Sequence, residues 1–177
     1  MARKLLLIVM LMLCLPARAM TLTSDSWREF AFVGVNYLCP NHGGDNISPE
    51  LSWTEVPINT KSYLLFLHDP DAPHLGGFVH WVVYINDPKI KSIATGFSPT
   101  STSPIVFGLN GMDKNSYFGP CPPSGTGLHR YVFTLYALNT QLEIKKIEKL
   151  HQSELVNLLY GKVIKQATFT GLYRNTD

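Results

Sequence analysis

Charge and cysteine are both scarce in this chain. Asp, Glu, Lys and Arg make up 16% of its 177 residues, and only three cysteines occur. No CxxC spacing is present, which removes zinc-ribbon and thioredoxin-type readings. No repeat of 20–50 residues and no low-complexity tract is visible, so solenoid and linker-rich organisations fall away. The longest apolar run, Leu5–Leu15, is 11 residues, too short for a bilayer core that needs about 20. With 45% hydrophobic residues the chain builds one core of ordinary domain size rather than two.

That apolar run belongs to a targeting segment. Arg3 and Lys4 precede it, and Ala17-Arg18-Ala19 supplies small residues where a signal peptidase reads. Cys14 raises lipoprotein modification as an alternative, but Leu13 is too large for the residue that normally precedes such a cysteine. The expectation is a cleaved signal peptide over residues 1–19 and an exported domain over 20–177, periplasmic or secreted, with no integral membrane span. Cleavage takes away Arg3, Lys4 and Arg18 and no acid, moving the formal charge from +2 to −1. The basic cluster that remains, Lys145, Lys146 and Lys149, reads as a solvated face, and nucleic-acid binding has no support.

Cys39 and Cys121 are left after cleavage. An even pair in an oxidising compartment reads as a disulfide before it reads as two free thiols. Two buried small hydrophobes are the bland alternative. A zinc site that uses the nearby His42 is weaker still, since its other ligands must come from elsewhere in the chain.

Proline and glycine are plentiful by contrast, with 12 and 13 residues spread along the chain. They favour many strands and turns over a helix bundle. Residues 29–36 read as a strand that ends at the loop 39–49, followed by short strand 51–53. Residues 62–68 and 78–86 are too uniformly apolar to have one wet face, so both belong at the centre of a sheet. Residues 87–118 form a long irregular excursion holding apolar pieces such as 105–109. The segment 130–138 is the cleanest strand and 165–174 a closing one. Residues 147–162 carry the strongest helical pattern, with Ser153 as cap, Leu155, Leu158 and Leu159 on one face and Gly161 at the end. The expected fold is all-β: a two-layer antiparallel β-sandwich with one or two peripheral helices.

Candidate chemistry gathers at three strand ends. In DPDAP, residues 69–73, Pro70 and Pro73 fix φ and forbid helix, so Asp69 and Asp71 project from a stiff turn. His80 opens the apolar run 79–85. The Pro/Gly loop from Gly119 delivers His129 and Tyr131 two residues apart, on one strand face. Should these ends meet, they form a small pocket of carboxylate and imidazole walled by proline. Protonation of either imidazole becomes easier beside Asp69, and a phosphate between them meets charge-assisted donors, the Tyr131 hydroxyl and free backbone N–H groups.

Four blocks, GGDNISPELSW (43–53), DPDAP (69–73), HWVVYI (80–85) and GPCPPSGTGLHRYVFTLYAL (119–138), resemble the signature of the phosphatidylethanolamine-binding protein family, most closely its bacterial Raf-kinase-inhibitor-like branch. The resemblance spans residues 29–173. It implies a β-sandwich whose pocket binds anionic groups such as a phospholipid head group. In this chain the matching residues are Asp69, His80, His129 and Tyr131, walled by Gly119, Pro120, Pro122 and Pro123, with Asp71 beside them. It also brings the loops of Cys39 and Cys121 to one end of the sandwich. The position two before His80 is Phe78, where the family usually places Trp.

The function expected is an exported, non-enzymatic binding module for a small anionic or phosphorylated ligand, with modulation of a protein partner as a further role and with no cofactor or metal. A protease inhibitor is one alternative. A weak hydrolase that uses His80 or His129 as base and Asp69 as its orienter is another. No serine or free cysteine sits in an identifiable nucleophile motif.

Overall fold

The computed structural model describes residues 18–176. The leader expected over 1–19 lies outside them apart from Arg18 and Ala19. Eight strands, β1 (Thr21–Thr23), β2 (Leu51–Thr54), β3 (Ser62–Asp69), β4 (Phe78–Ile85), β5 (Ser92–Ile93), β6 (Ile105–Phe107), β7 (His129–Leu138) and β8 (Val163–Tyr173), make two antiparallel sheets. The large sheet runs β6-β4-β3-β7-β8 and the small one β1-β2-β5. Two short helices, α1 (Ile144–Ile147) and α2 (Gln152–Leu158), lie between β7 and β8 in the chain. No helix among the described residues is long and apolar enough to cross a membrane. This is the all-β sandwich with peripheral helices that the strand pattern predicts.

The unbroken apolar runs of β3 and β4 are explained by burial on both faces. Tyr63, Leu65 and Leu67 with Trp81, Val83 and Ile85 face the small sheet and meet Leu22, Leu51, Trp53 and Ile93. Leu64, Phe66, Val82 and Tyr84 face the other way and are covered by Ile147, Leu155 and Leu159 of the helical segment. Side chains alternate across a strand, so a strand with two dry faces reads as a continuous apolar run except where a buried polar side chain finds a hydrogen-bond partner.

Two expected elements differ. Residues 29–36 are not a strand: Phe30 adopts φ 59°, which breaks an extended run, and only Phe32 makes a bridge, to Leu172 of β8. A 3-10 turn follows at Val35–Tyr37. The single helix expected over 147–162 is interrupted at 148–151. There the Leu150 carbonyl accepts the Leu109 N–H at 3.2 Å and the Glu148 carbonyl accepts Asn115 Nδ2 at 2.9 Å, so the break ties the helices to the loop beneath. His151, not Ser153, precedes the first turn of α2, and Glu154 reaches back to its backbone N–H at 3.0 Å.

Cys39 and Cys121 form a disulfide across a sequence separation of 82, with their Cα atoms 5.4 Å apart. It staples the GPCPP loop to the 3-10 segment before it. Gly119 makes this approach possible: a Cβ there would lie 2.3 Å from the Tyr37 carbonyl oxygen and 2.7 Å from the Cys39 nitrogen. Asn46 completes the join by accepting the Gly119 N–H at 2.8 Å.

Replacing Cys39 and Cys121 by Ser should lower stability by about 4–5 kcal/mol, the chain-entropy value for so long a loop. Urea denaturation of the two forms measures it, and equal midpoints would refute the staple's role. Phe66→Ala, which empties a position 1% exposed between sheet and helices, should lose about 3–5 kcal/mol in the same assay.

Candidate functional site

The end of β3, the start of β4 and the start of β7 meet at one end of the three central strands of the large sheet. Strand register explains why. Leu67 pairs with Trp81 and His68 with Val79, so His80 is an extra residue in β4 with no partner on β3. Such a bulge re-aims a side chain. The ring of His80 accordingly packs edge-on to Tyr131, centroids 5.2 Å apart, and stacks on Phe118 at 5.8 Å.

Asp69 is 2% exposed at the last position of β3. Its Oδ2 accepts from His129 Nδ1 at 2.7 Å, and its Oδ1 accepts the Asp71 backbone N–H at 2.9 Å. The His129 ring is wholly buried in this pair, and its Nε2 lies 2.8 Å from Thr126 Oγ1. That hydroxyl also donates to the Pro123 carbonyl at 2.7 Å. One hydroxyl proton cannot serve both contacts. It goes either to the Pro123 carbonyl or to His129 Nε2.

A cavity of about 130 Å³ opens here, lined by Asp69, His80 and His129 and walled by Pro73, Phe78, Phe118, Cys121, Pro122 and Pro123, among others. Of the expected ligand residues, Asp69, His80, Pro122, Pro123 and His129 line it. Tyr131 sits beneath, 1% exposed, and its hydroxyl has no partner at hydrogen-bonding geometry among the described residues. Burial first, then the Asp69 charge, pushes that phenol's pKa up.

Three expected residues lie elsewhere. Gly119 and Pro120 are buried in the join to the 3-10 segment, where the Pro120 carbonyl accepts the Cys39 N–H at 3.1 Å. Asp71 turns away from the cavity and grips Arg130, taking its backbone N–H and Nε at 2.9 Å on Oδ2 and its NH2 nitrogen at 2.8 Å on Oδ1. The Arg130 guanidinium holds the Asp71 carboxyl below the usual carboxylate range. The two acids of DPDAP therefore clasp consecutive residues, His129 and Arg130, and only the first lines the cavity. Residue-by-residue reading missed Arg130, Thr126 and Asn46. The signals for them were the charge next to His129, the hydroxyl three residues before it and the Asn of the NISP block.

The expectation that His80 gains charge from Asp69 is also corrected. Burial holds its pKa down to about 4, outweighing the Phe118 carbonyl and the Asp69 charge, which raise it. His80 is neutral at neutral pH, its Nδ1 proton on the Phe118 carbonyl at 2.7 Å, and its Nε2 lone pair is an acceptor. Asp69 serves His129 instead.

The sequence pattern of the phosphatidylethanolamine-binding protein family matches residues 23–174. The chain belongs to that family. A UPF0098 protein of Aquifex aeolicus is 35% identical over 156 residues, 88% of each chain. Among solved structures, a phosphatidylethanolamine-binding protein homologue from Chlamydia trachomatis superposes with TM-score 0.77 at 33% identity, covering 89% of this chain and 98% of its own. E. coli YbcL, described as a member of the mammalian family, gives TM-score 0.82 at 25% identity over 90% of this chain and 100% of its own. In this member of the phosphatidylethanolamine-binding protein family, Phe78 lies on the cavity wall 4.8 Å from the His80 ring.

His80 makes the fold acid-sensitive. Above pH 6.5 neither folded nor unfolded chain protonates it. Between pH 6.5 and about 4 the unfolded chain takes up a proton that the folded one refuses, so stability falls as pH falls. The loss at pH 4.5 relative to pH 7.5 should be about 2–3 kcal/mol smaller in His80→Gln than in the unsubstituted protein. Equal losses in urea titrations at the two pH values would refute the assignment.

Proposed function

We propose that the chain is an exported, non-enzymatic binding module whose cavity takes a small ligand carrying an anionic group of phosphate type. One observation carries this reading: a buried Asp69–His129 pair opens into a cavity otherwise walled by rings and prolines. The volume, well below the roughly 300–1,000 Å³ of drug-sized sites, suits a head group and not an acyl chain. Asp69 fixes the His129 ring through Nδ1 and leaves Nε2 to face an incoming ligand. Its present partner, Thr126, lies in an exposed turn and keeps the Pro123 carbonyl as a second partner, so an incoming phosphate oxygen can replace it at small cost. The Nε2 lone pair of neutral His80 complements a protonated phosphate oxygen or a hydroxyl or ammonium on the same ligand. The matched family's own description, phosphatidylethanolamine-binding, names a ligand of this chemistry.

Titration calorimetry with a phosphate monoester tests it. A charge-assisted hydrogen bond contributes about 1.5–3 kcal/mol, so His129→Ala should weaken binding by about 10- to 100-fold. Thr126→Val should bind as tightly as the unsubstituted protein or more tightly. No binding, or no effect of His129→Ala in a folded variant, would overturn the proposal.

The Asp69–His129–Thr126 chain, with contacts of 2.7 and 2.8 Å, favours a second reading. It has the order of an acid–base–hydroxyl triad, with Thr126 Oγ1 as nucleophile in ester hydrolysis. Turnover of p-nitrophenyl acetate that vanishes in Thr126→Val would select it over the binding module.

Export rests on Arg3, Lys4, the apolar run that follows and the disulfide. Intact mass of protein from the periplasm or medium should show loss of residues 1–19, and a full-length mass there would refute cleavage.

A further inference from the structure

We propose that Cys39, His42 and Cys121 are a latent metal site, in which reduction of the disulfide frees two thiolates that join the imidazole around one thiophilic cation, zinc(II) or copper(I). Both sulfurs and one nitrogen of the His42 ring lie within 4.8 Å of one another. The Pro40–His42 3-10 turn explains the placement. Its tight pitch sets residue 42 over residue 39, three positions back, and the His42 N–H donates to the Cys39 carbonyl at 3.0 Å. The long-range partner, Cys121, arrives with the GPCPP loop.

The His42 ring behaves as a ligand held ready. Its Nε2 lies 3.4 Å from Asn175 Nδ2, and its face packs on Tyr173 with centroids 5.7 Å apart. Its Nδ1 is buried and has no hydrogen-bond partner among the described residues. With Asn175 Nδ2 donating to Nε2, the ring proton sits on Nδ1 as a buried, unpaired N–H, which is unfavourable in the disulfide form; a metal at Nδ1 would take that proton's place. Metal binding at Nδ1 moves the ring proton to Nε2, where the Asn175 amide, once turned over, accepts it through Oδ1, the outer-partner arrangement of metal-bound histidines. Around zinc, sulfurs at about 2.3 Å from the metal sit roughly 3.8 Å apart. Opening the S–S bond and turning the cysteine side chains reaches that spacing.

The chemistry balances with a dithiol reductant. It gives two electrons and two protons to the Cys39–Cys121 bond and becomes a cyclic disulfide. Each freed thiol then loses its proton as its sulfur donates a pair to the cation. Two thiolates and an imidazole are a soft donor set, suited to zinc or copper(I) and not to magnesium or calcium. Zinc keeps a fourth position for water, whereas copper(I) is complete with three ligands. The loop join survives in either case. Coordination replaces the covalent staple, and the wall made by Cys121, Pro122 and Pro123 stays docked under conditions that reduce disulfides.

The test uses the chain from Met20, reduced with a dithiol and freed of it without oxygen. Zinc(II) and copper(I) are titrated separately against a chromophoric chelator. Cobalt(II) serves as a spectroscopic probe of thiolate ligation. Expected are one equivalent of zinc or copper(I) bound per reduced chain, none by the oxidised chain, and a sulfur-to-cobalt band near 350 nm. Bound metal should also restore part of the melting temperature lost on reduction. His42→Ala, whose folding is verified in its disulfide form, should bind at least tenfold more weakly while still showing two thiols by labelling. The proposal falls if the reduced chain binds neither metal better than the oxidised one. It falls equally if His42→Ala matches the unsubstituted affinity.

Discussion

Burying the Asp69 carboxylate at the end of β3 is tolerable only because both of its oxygens are hydrogen-bonded, and that requirement fixes three chain segments at once. An ionised carboxylate without partners costs several kcal/mol in such a place. Oδ2 demands the His129 ring, so β7 must begin where it does. Oδ1 demands the Asp71 N–H, so the turn after β3 must curl tightly, as Pro70 favours. Asp71 is thereby carried to Arg130 and clamps the turn to the same strand from outside. The exposed Asp71–Arg130 pair adds little stability by itself. Its geometry is what matters, because it closes the ring of contacts around the buried pair.

The rigidity of this end comes from the sheet behind it. Packed on both faces, β3 and β4 have no wet side from which to fray, and β7, buried on its inner face, pairs with β3 along most of its length. The cavity therefore sits at the end of a stiff support, with the exposed turn around Thr126 and the exposed loop before Phe78 at its rim. The disulfide and Gly119 extend the same support to the proline wall.

Much of this was legible in the sequence. Period-2 patterns and unbroken apolar runs locate β3, β4 and β7, and the Pro/Gly punctuation marks where they end. His129 and Tyr131 share a strand face because alternation requires it. His80 was a harder case: its aim depends on a bulge, which changes pairing by one residue and leaves no mark in local composition. Its charge state was misjudged because proximity to a carboxylate is visible in a motif, whereas the degree of burial is a tertiary property. Asp71 was placed with Asp69 since both project from one turn. Only three-dimensional packing distinguishes the one that meets an imidazole from the one that meets a guanidinium. The helix over 147–162 was split where its backbone carbonyls take the Leu109 N–H and the Asn115 side chain, residues more than thirty positions away that no window of sequence contains.

The segment that failed to become a strand has its own importance. Residues 30–33 bond to the outer edge of β8, with Phe30 and Val33 donating to the Thr170 and Leu172 carbonyls and Ala31 accepting from Leu172. Glu29 takes the Thr170 N–H. A long edge strand with free amides is a template for pairing with any other extended chain, and this stretch of it is covered by the protein's own irregular backbone. Because Phe30 turns left-handed and only one bridge forms, the cover cannot grow into a sixth strand that would merely move the open edge outward. What looks like an untidy lead-in is the molecule's guard against joining sheet to sheet with its neighbours, and a chain trimmed beyond Val33 would lose it.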